Sequence, residues 1–397
     1  MDLKIDAAKW RRKRGVGRLL DALGAEEGLT RYVGGAVRDQ LLNIAVSDFD
    51  LATKLKPEEV VERLEAAKIR AVPTGIDHGT VTAVSSGHPF EVTSLRRDVS
   101  TDGRRATVAF TDDWQEDAAR RDFTINALSA DPITGEVHDY FGGKEDLLAR
   151  RVRFIGDPLE RIAEDHLRIL RFFRFHARFG QGEPDAEALE ACTKRANDLM
   201  ALSRERIADE LLKLLAVDDP SPTVAIMLER DILRPVIPEI GREALDSLRS
   251  LVAAEKKAGI RSDPLRRFAA LLPRDPELAD RIAARLKLSN KARKRLACAV
   301  TPDLPENARE MAYYIGSECA ADRLLLAGKP ELAASVARWE APKFPISGGM
   351  LIQRGLSQGP VVAKTLQAIE RRWVASNFPA GAEFERIVDE ALLSARG

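Results

Sequence analysis

The chain has 397 residues, 45% hydrophobic and 31% charged, with 62 basic residues set against 62 acidic ones. That balance excludes a disordered tail protein, a collagen and a membrane protein, and at roughly 150 residues per domain the length implies several domains. A net charge of zero names no partner, so any nucleic-acid footprint has to come from local clusters.

The N-terminal stretch MDLKIDAAKWRRKRGVGRLLDAL carries a basic cluster with no apolar run behind it, which predicts a cytoplasmic rather than a secreted chain. No apolar run approaches the roughly 20 residues of a membrane-spanning helix, so no membrane partner is expected. Short β-like runs follow at 31–33, 49–53, 80–84 and 90–95, punctuated by Gly and Pro. A helix is expected from Pro57, with acids in its first turn and Val60, Val61 and Leu64 on one face. The stretch RRDVSTDGRRAT (96–107) has almost no apolar residue and reads as a mobile surface loop turning at Asp102-Gly103.

After Gly156 the period becomes helical. Asp157 as N-cap, Pro158 at the first position, apolar residues from Leu159 to Ala177 and Gly180 as the stop predict one helix over 158–179. Further helices are expected at about 185–200, 203–217, 222–230, 242–257, 263–272 and 276–287, and through the C-terminal section. Cys192, Cys298 and Cys319 are odd in number and far apart, which suggests free buried thiols in a reducing cytosol. Arg281 to Arg295 holds seven basic residues and no acid, either a solvated helix face or a contact for RNA phosphates.

The most informative segment is YVGGAVRDQLLNIAVSDFDLAT (32–53). A strand runs into Gly34-Gly35 and a helix begins near Ala36, so backbone N–H groups and a positive dipole end are open to an anion, and Arg38 adds charge. Asp48 and Asp50 are two apart on a strand, so both carboxylates leave one face while Phe49 enters the core. Two acids that close repel, and a hard divalent cation such as Mg²⁺ relieves the repulsion while accepting phosphate oxygens.

GGAVRD followed by SDFDLAT resembles the nucleotidyltransferase signature of the DNA polymerase beta superfamily. With PTGIDHGTVTAV (73–84), FEVTSLRRD (90–98), RRDFTINAL (120–128), EDHLRILRFFRF (164–175) and SRERIADELLKLL (203–215), the series is similar to the class II tRNA nucleotidyltransferases, the bacterial CCA-adding enzymes. The match covers about residues 28–217. It implies an α+β protein with a mixed α/β head (1–155) built on a small, mainly antiparallel five-stranded sheet. An all-helical neck that recognises the base (156–220), a body (221–310) and a tRNA-binding tail (311–397) would follow. The implied reaction transfers CMP, CMP and AMP from CTP and ATP to the tRNA 3′ end, releasing pyrophosphate, with two Mg²⁺ ions as cofactor.

On this resemblance Asp48 and Asp50 hold the metal, and Glu91 is a third catalytic carboxylate or else a solvated edge-strand acid. Gly34, Gly35 and Arg38 hold the triphosphate, and Arg120, Arg121, Asn126 and Arg171 bind phosphate or ribose while Asp122 steadies an arginine. Arg174 and Arg178 cover Phe173 and Phe175. On a continuous 158–179 helix Asp165 and Arg168 share a face and Glu164 orients Arg168. Cytosine and adenine both present an amino donor beside a ring-nitrogen acceptor, which a carboxylate next to a guanidinium complements; guanine and uracil reverse the order. The loop at 96–107 resembles the family's flexible loop and favours full CCA addition. Bacterial poly(A) polymerases share GGxxRD, DxD and EDxxRxxR and, with partial CC- or A-adding enzymes, form the alternative. They carry a basic segment where this chain has TGIDHGTVTAV and often a basic tail where it has DEALLSARG. With five His and none after His176, an added HD-type phosphohydrolase is not expected.

Overall fold

A computed structural model describes residues 4–46, 49–76, 79–101 and 106–396. Helices α1 (Ala7–Arg11) and α2 (Val16–Ala22) lead into strand β1 (Thr30–Val33), helix α3 (Gly35–Leu41), strand β2 (Asp50–Thr53) and helix α4 (Pro57–Ala66). Strands β3 (Arg70–Gly75), β4 (Thr80–Ser85), β5 (His88–Ser94), β6 (Arg96–Thr101) and β7 (Ala106–Phe110) come next. Then follow α5 (Trp114–Ala119), β8 (Ser129–Ala130), β9 (Val137–His138) and α6 (Gly143–Leu148). Local chemistry accounts for several of these. In α4 the Glu59 carboxylate accepts from the Lys56 N–H at 3.1 Å, and Val60 and Leu64 are buried. In β4 burial alternates along TVTAVS, putting Val81 and Ala83 on the covered face.

Among the described residues the main sheet has seven strands in the order β3-β4-β5-β2-β1-β8-β9, not the five expected. Strands β8 and β9 are two residues each, too short for an alternating pattern to announce them. The sheet is mainly antiparallel, as the sequence implied, with β2 and β5 parallel. The stretch 96–107, expected to be a loop, is largely paired backbone: β6 and β7 form an antiparallel hairpin with Arg96 opposite Phe110 and Arg97 opposite Ala109. Ladder hydrogen bonds come from the backbone and require no apolar side chains. Residues 102–105 lie outside the described residues.

Two compact units divide the chain, Met1–Leu214 with Ile226–Val236, and Leu215–Ala225 with Ile237–Gly397. The first adds α7 (Pro158–Glu164), α8 (Arg168–Phe179), α9 (Ala186–Lys194) and nearly all of α10 (Arg204–Leu215); α11 (Ser221–Glu229) carries residues of both units. The predicted 158–179 helix is broken. Asp165 is extended (φ −152°, ψ 105°), and its carboxylate accepts from the Leu167 N–H at 3.1 Å. A short acid that bonds nearby backbone competes with the helix ladder, and Asp165 does so here. Helix α8 buries Phe172, Phe173, Phe175 and Phe179. Phe123 stands 5.2 Å from Phe175 and 4.9 Å from Phe154, so an aromatic cluster ties the 120–128 segment to α8.

The second unit is helical: α12 (Ala244–Ala258), α13 (Pro264–Leu271), α14 (Pro276–Arg285), α15 (Asn290–Val300), α16 (Ala308–Ile315), α17 (Ser317–Leu326), α18 (Pro330–Ala337), α19 (Gly348–Gln353), α20 (Pro360–Ala375) and α21 (Ala382–Arg396). Cys298 on α15 and Cys319 on α17 form a disulfide with Cα atoms 6.4 Å apart, which corrects the expectation of three free thiols. Packing of α15 beside α17 brings together residues that spacing kept apart; Cys192 alone is free, and buried. Within the basic 281–295 run, Arg285 pairs with Glu239 at 2.6 Å and Arg293 with Asp280 at 2.7 Å. Arg295 pairs with Asp322 at 2.7 Å and Asp263 at 3.0 Å, so much of the run's charge is neutralised within the fold. Among the described residues no helix is long and apolar enough to cross a membrane.

Candidate active site

A cavity of about 550 Å³ in the first unit has Gly34, Asp50, Arg121, Asp165 and Arg168 in its wall. Gly34 ends β1 with φ 66° and ψ −129°, a backbone region that disfavours a side chain, and α3 starts at the next residue. A Cβ at Gly34 would lie 3.1 Å from Arg121 Nη1, so the glycine also makes room for that guanidinium. Gly35 lines the same wall. Asp50 is exposed at the start of β2, in register with Glu91 on the parallel neighbour β5. Phe49 is buried against Trp10 at 4.7 Å between ring centroids, as the period-two reading required. Asp48 lies outside the described residues.

The phosphate-binding candidates are held by acids. Asp117, buried on α5, pairs with Arg120 at 2.7 Å and Arg121 at 3.1 Å. Burial works against the Asp117 charge, yet Arg121 and Arg120 outweigh it and hold its pKa below the ordinary carboxylate value. Sequence reasoning missed Asp117, although its i+3 and i+4 spacing to the two arginines was visible. Asp122 steadies Arg171 rather than its neighbours, accepting from Nε at 2.9 Å and Nη2 at 2.5 Å. It also accepts from Asn126 Nδ2 and the Phe123 N–H, both at 2.9 Å. Burial is again outweighed, first by Arg171, and Asp122 titrates below its usual range. Arg38 is buried, donating to Asp39 at 2.8 Å and Asn126 at 2.5 Å with its guanidinium 4.0 Å from the centre of the Phe179 ring. Burial lowers its pKa, and Asp39 opposes that.

The break between α7 and α8 alters the geometry of the expected reading head. Asp165 and Arg168 do not share a helix face, because Asp165 lies outside both helices. Both nevertheless line the cavity. Asp165 bonds Arg206 of α10 at 2.7 Å, whereas Arg168 donates to the Glu164 carboxylate, as the i+4 spacing suggested, and to the Arg161 carbonyl at 2.7 Å. Arg206 and Arg174 also belong to the wall and were not anticipated there; Arg174 pairs with Glu210 at 2.5 Å and covers Phe175. Among the described residues, Glu91, Arg120 and Glu164 are not in that wall: Glu91 flanks Asp50, and the other two stand behind the arginines.

The family model described as "Poly A polymerase head domain" matches residues 30–153, and one described as "Probable RNA and SrmB- binding site of polymerase A" matches residues 183–243. The chain is 35% identical over 379 residues to human mitochondrial CCA tRNA nucleotidyltransferase 1, covering 88% of this chain and 83% of the relative. It is 30% identical over 354 residues to the CCA-adding enzyme of Anoxybacillus flavithermus, covering 86% and 87%. The crystal structure of the Bacillus stearothermophilus CCA-adding enzyme in complex with CTP superposes with a TM-score of 0.75 at 26% identity, over 97% of this chain and 99% of that one.

Proposed function

The chain belongs to the family of CCA tRNA nucleotidyltransferases, and we propose that it builds the CCA end of tRNA in the cavity between Asp50 and Arg168. It is a template-independent transferase that takes CTP and ATP and releases pyrophosphate. The observation that carries the site is the shared hollow: an exposed strand acid, a ring of arginines, and an acceptor–donor pair (Asp165 and Arg168) all line one cavity. We assign catalysis to the head (1–155), base reading to the neck (156–220), and RNA contacts to the body (221–310) and tail (311–397).

The arginines suit a triphosphate. Arg121 and Arg171 line the cavity with their aim set by Asp117 and Asp122, which lowers the cost of ordering them around phosphate. Asn126 faces the same space and suits a ribose hydroxyl. Asp165 accepts from the exocyclic amine of cytosine or adenine while Arg168 donates to the adjacent ring nitrogen. Guanine or uracil sets donor against donor and acceptor against acceptor, costing about 1–3 kcal/mol per contact. The pair therefore admits two bases with no template.

Nucleotidyltransferases of this family use divalent metal ions. Asp50 with Glu91 beside it in register make an all-oxygen acidic pair suited to Mg²⁺, and with Asp48, two residues earlier in the sequence, they are the acids that would hold two Mg²⁺ ions. Bound there, the ions supply neutralisation of phosphate charge and easier ionisation of the RNA hydroxyl. The proposed compartment is the cytoplasm, with the mitochondrial matrix as the alternative that a localisation assay of tagged protein decides. Single-turnover reactions on tRNA lacking three, two or one terminal nucleotides, with each NTP offered alone, test the function. C, C and A in that order is the expected result; a long A tract on the last substrate would make it a poly(A) polymerase.

A further inference from the structure

Arg161 is buried on α7, one turn before that helix ends, and no cavity-facing role accounts for it. Its Nη1 donates to both carboxylate oxygens of Glu164, at 2.7 and 2.6 Å. Its Nη2 donates to the backbone carbonyls of Arg120 at 2.6 Å and Arg121 at 2.7 Å. The Arg161 carbonyl, which lies in the last turn of α7 where ladder partners run out, accepts from Arg168 Nη1 at 2.7 Å. Arg168 reaches back to the same Glu164 and to the Arg120 carbonyl at 3.4 Å.

We propose that Arg161 is a positioning residue that aims Arg168 at the base and thereby sets the preference for C and A. The inference rests on the reading of Asp165 and Arg168 as base readers. One guanidinium grips the backbone of Arg120 and of Arg121, whose side chain lines the cavity, and, through Glu164, the guanidinium that meets the base. The distance from phosphate site to base site is thus measured by a single planar fork. The break at Asp165 makes such a clamp necessary, because the helix ladder does not run from Arg161 to Arg168 to fix one relative to the other. A lysine retains the charge but is a single point donor on a flexible stem, unable to hold a carboxylate and two carbonyls in one plane.

The test is single-turnover incorporation of CTP and of UTP, separately, on tRNA ready for C, with apparent dissociation constant and maximal rate measured for each. Arg161→Ala and Arg161→Lys are each expected to reduce the CTP-over-UTP preference by about tenfold, chiefly by weakening CTP binding. The rate at saturating CTP should fall much less. Equal losses for both nucleotides, with preference intact, would overturn the proposal and leave Arg161 a structural residue. Should Arg161→Ala unfold, as its thermal midpoint would reveal, Arg161→Lys and Glu164→Gln carry the test, and wild-type preference in either overturns it. The double variant Asp165→Ala with Arg168→Ala separates the layers. If it keeps the preference, the base-reading assignment fails; if it loses it while Arg161→Lys does not, only the clamp fails.

Discussion

Replacing Asp122 with Asn tests whether the charge between the RRD segment and α8 is structural. The carboxylate accepts four hydrogen bonds, two from Arg171 and one each from Asn126 and the Phe123 N–H. Asn keeps the volume, but one of its two polar atoms becomes a donor, so donor faces donor on one side. Breaking a buried pair costs about 3–5 kcal/mol. The lower end applies because the Arg171 side chain is 32% exposed and retains Glu210 at 3.8 Å. About 3 kcal/mol at roughly 2–4 °C per kcal/mol corresponds to a fall in thermal midpoint of about 6–12 °C. The pH dependence has a definite sign. The folded pKa of Asp122 is depressed, so its contribution is complete above the unfolded value of about 4 and lost as pH falls through the folded value. Circular-dichroism melts should therefore show a gap between wild type and Asp122→Asn that is constant from neutral pH to about pH 5 and closes under stronger acid. A gap under about 2 °C at neutral pH, or one that widens on acidification, would refute the reasoning.

Gly34→Ala introduces about 1–3 kcal/mol of backbone strain at φ 66° and places a methyl 3.1 Å from Arg121 Nη1. With Arg121 held by Asp117, the expected result is a loss of about tenfold in kcat/KM; unaltered kinetics would exclude Arg121 from the proposed phosphate-binding role. Lys291 and Lys294 are exposed without an ion-pair partner among the described residues, unlike Arg285, Arg293 and Arg295. Changing both to Ala should reduce the salt slope of tRNA binding by about 1–2, and an unchanged slope would exclude the run as an RNA contact.

Much of the site was legible because it depends on short-range geometry. Gly34-Gly35 between strand and helix, Phe49 turning inward beside Asp50, and Glu164 reaching Arg168 at i+4 all follow from local periods that any chain obeys. Asp117 was equally visible at i+3 and i+4 from Arg120 and Arg121. What lay beyond reach was partner choice across distance. Asp122 takes Arg171, 49 residues on, and Asp165 takes Arg206, 41 residues on. Arg161 takes two carbonyls some 40 residues back, and Cys298 takes Cys319. A carboxylate, guanidinium or thiol carries no address in its own spacing; packing decides which opposite group arrives within bonding distance. The sequence by itself determined which acids, arginines and glycines were available to the cavity and their order along the chain. Tertiary structure decided that the long helix breaks at Asp165, because the local bond from the Leu167 N–H competes with the helix ladder at any acid so placed, and the arginine that arrives from α10 tips the balance.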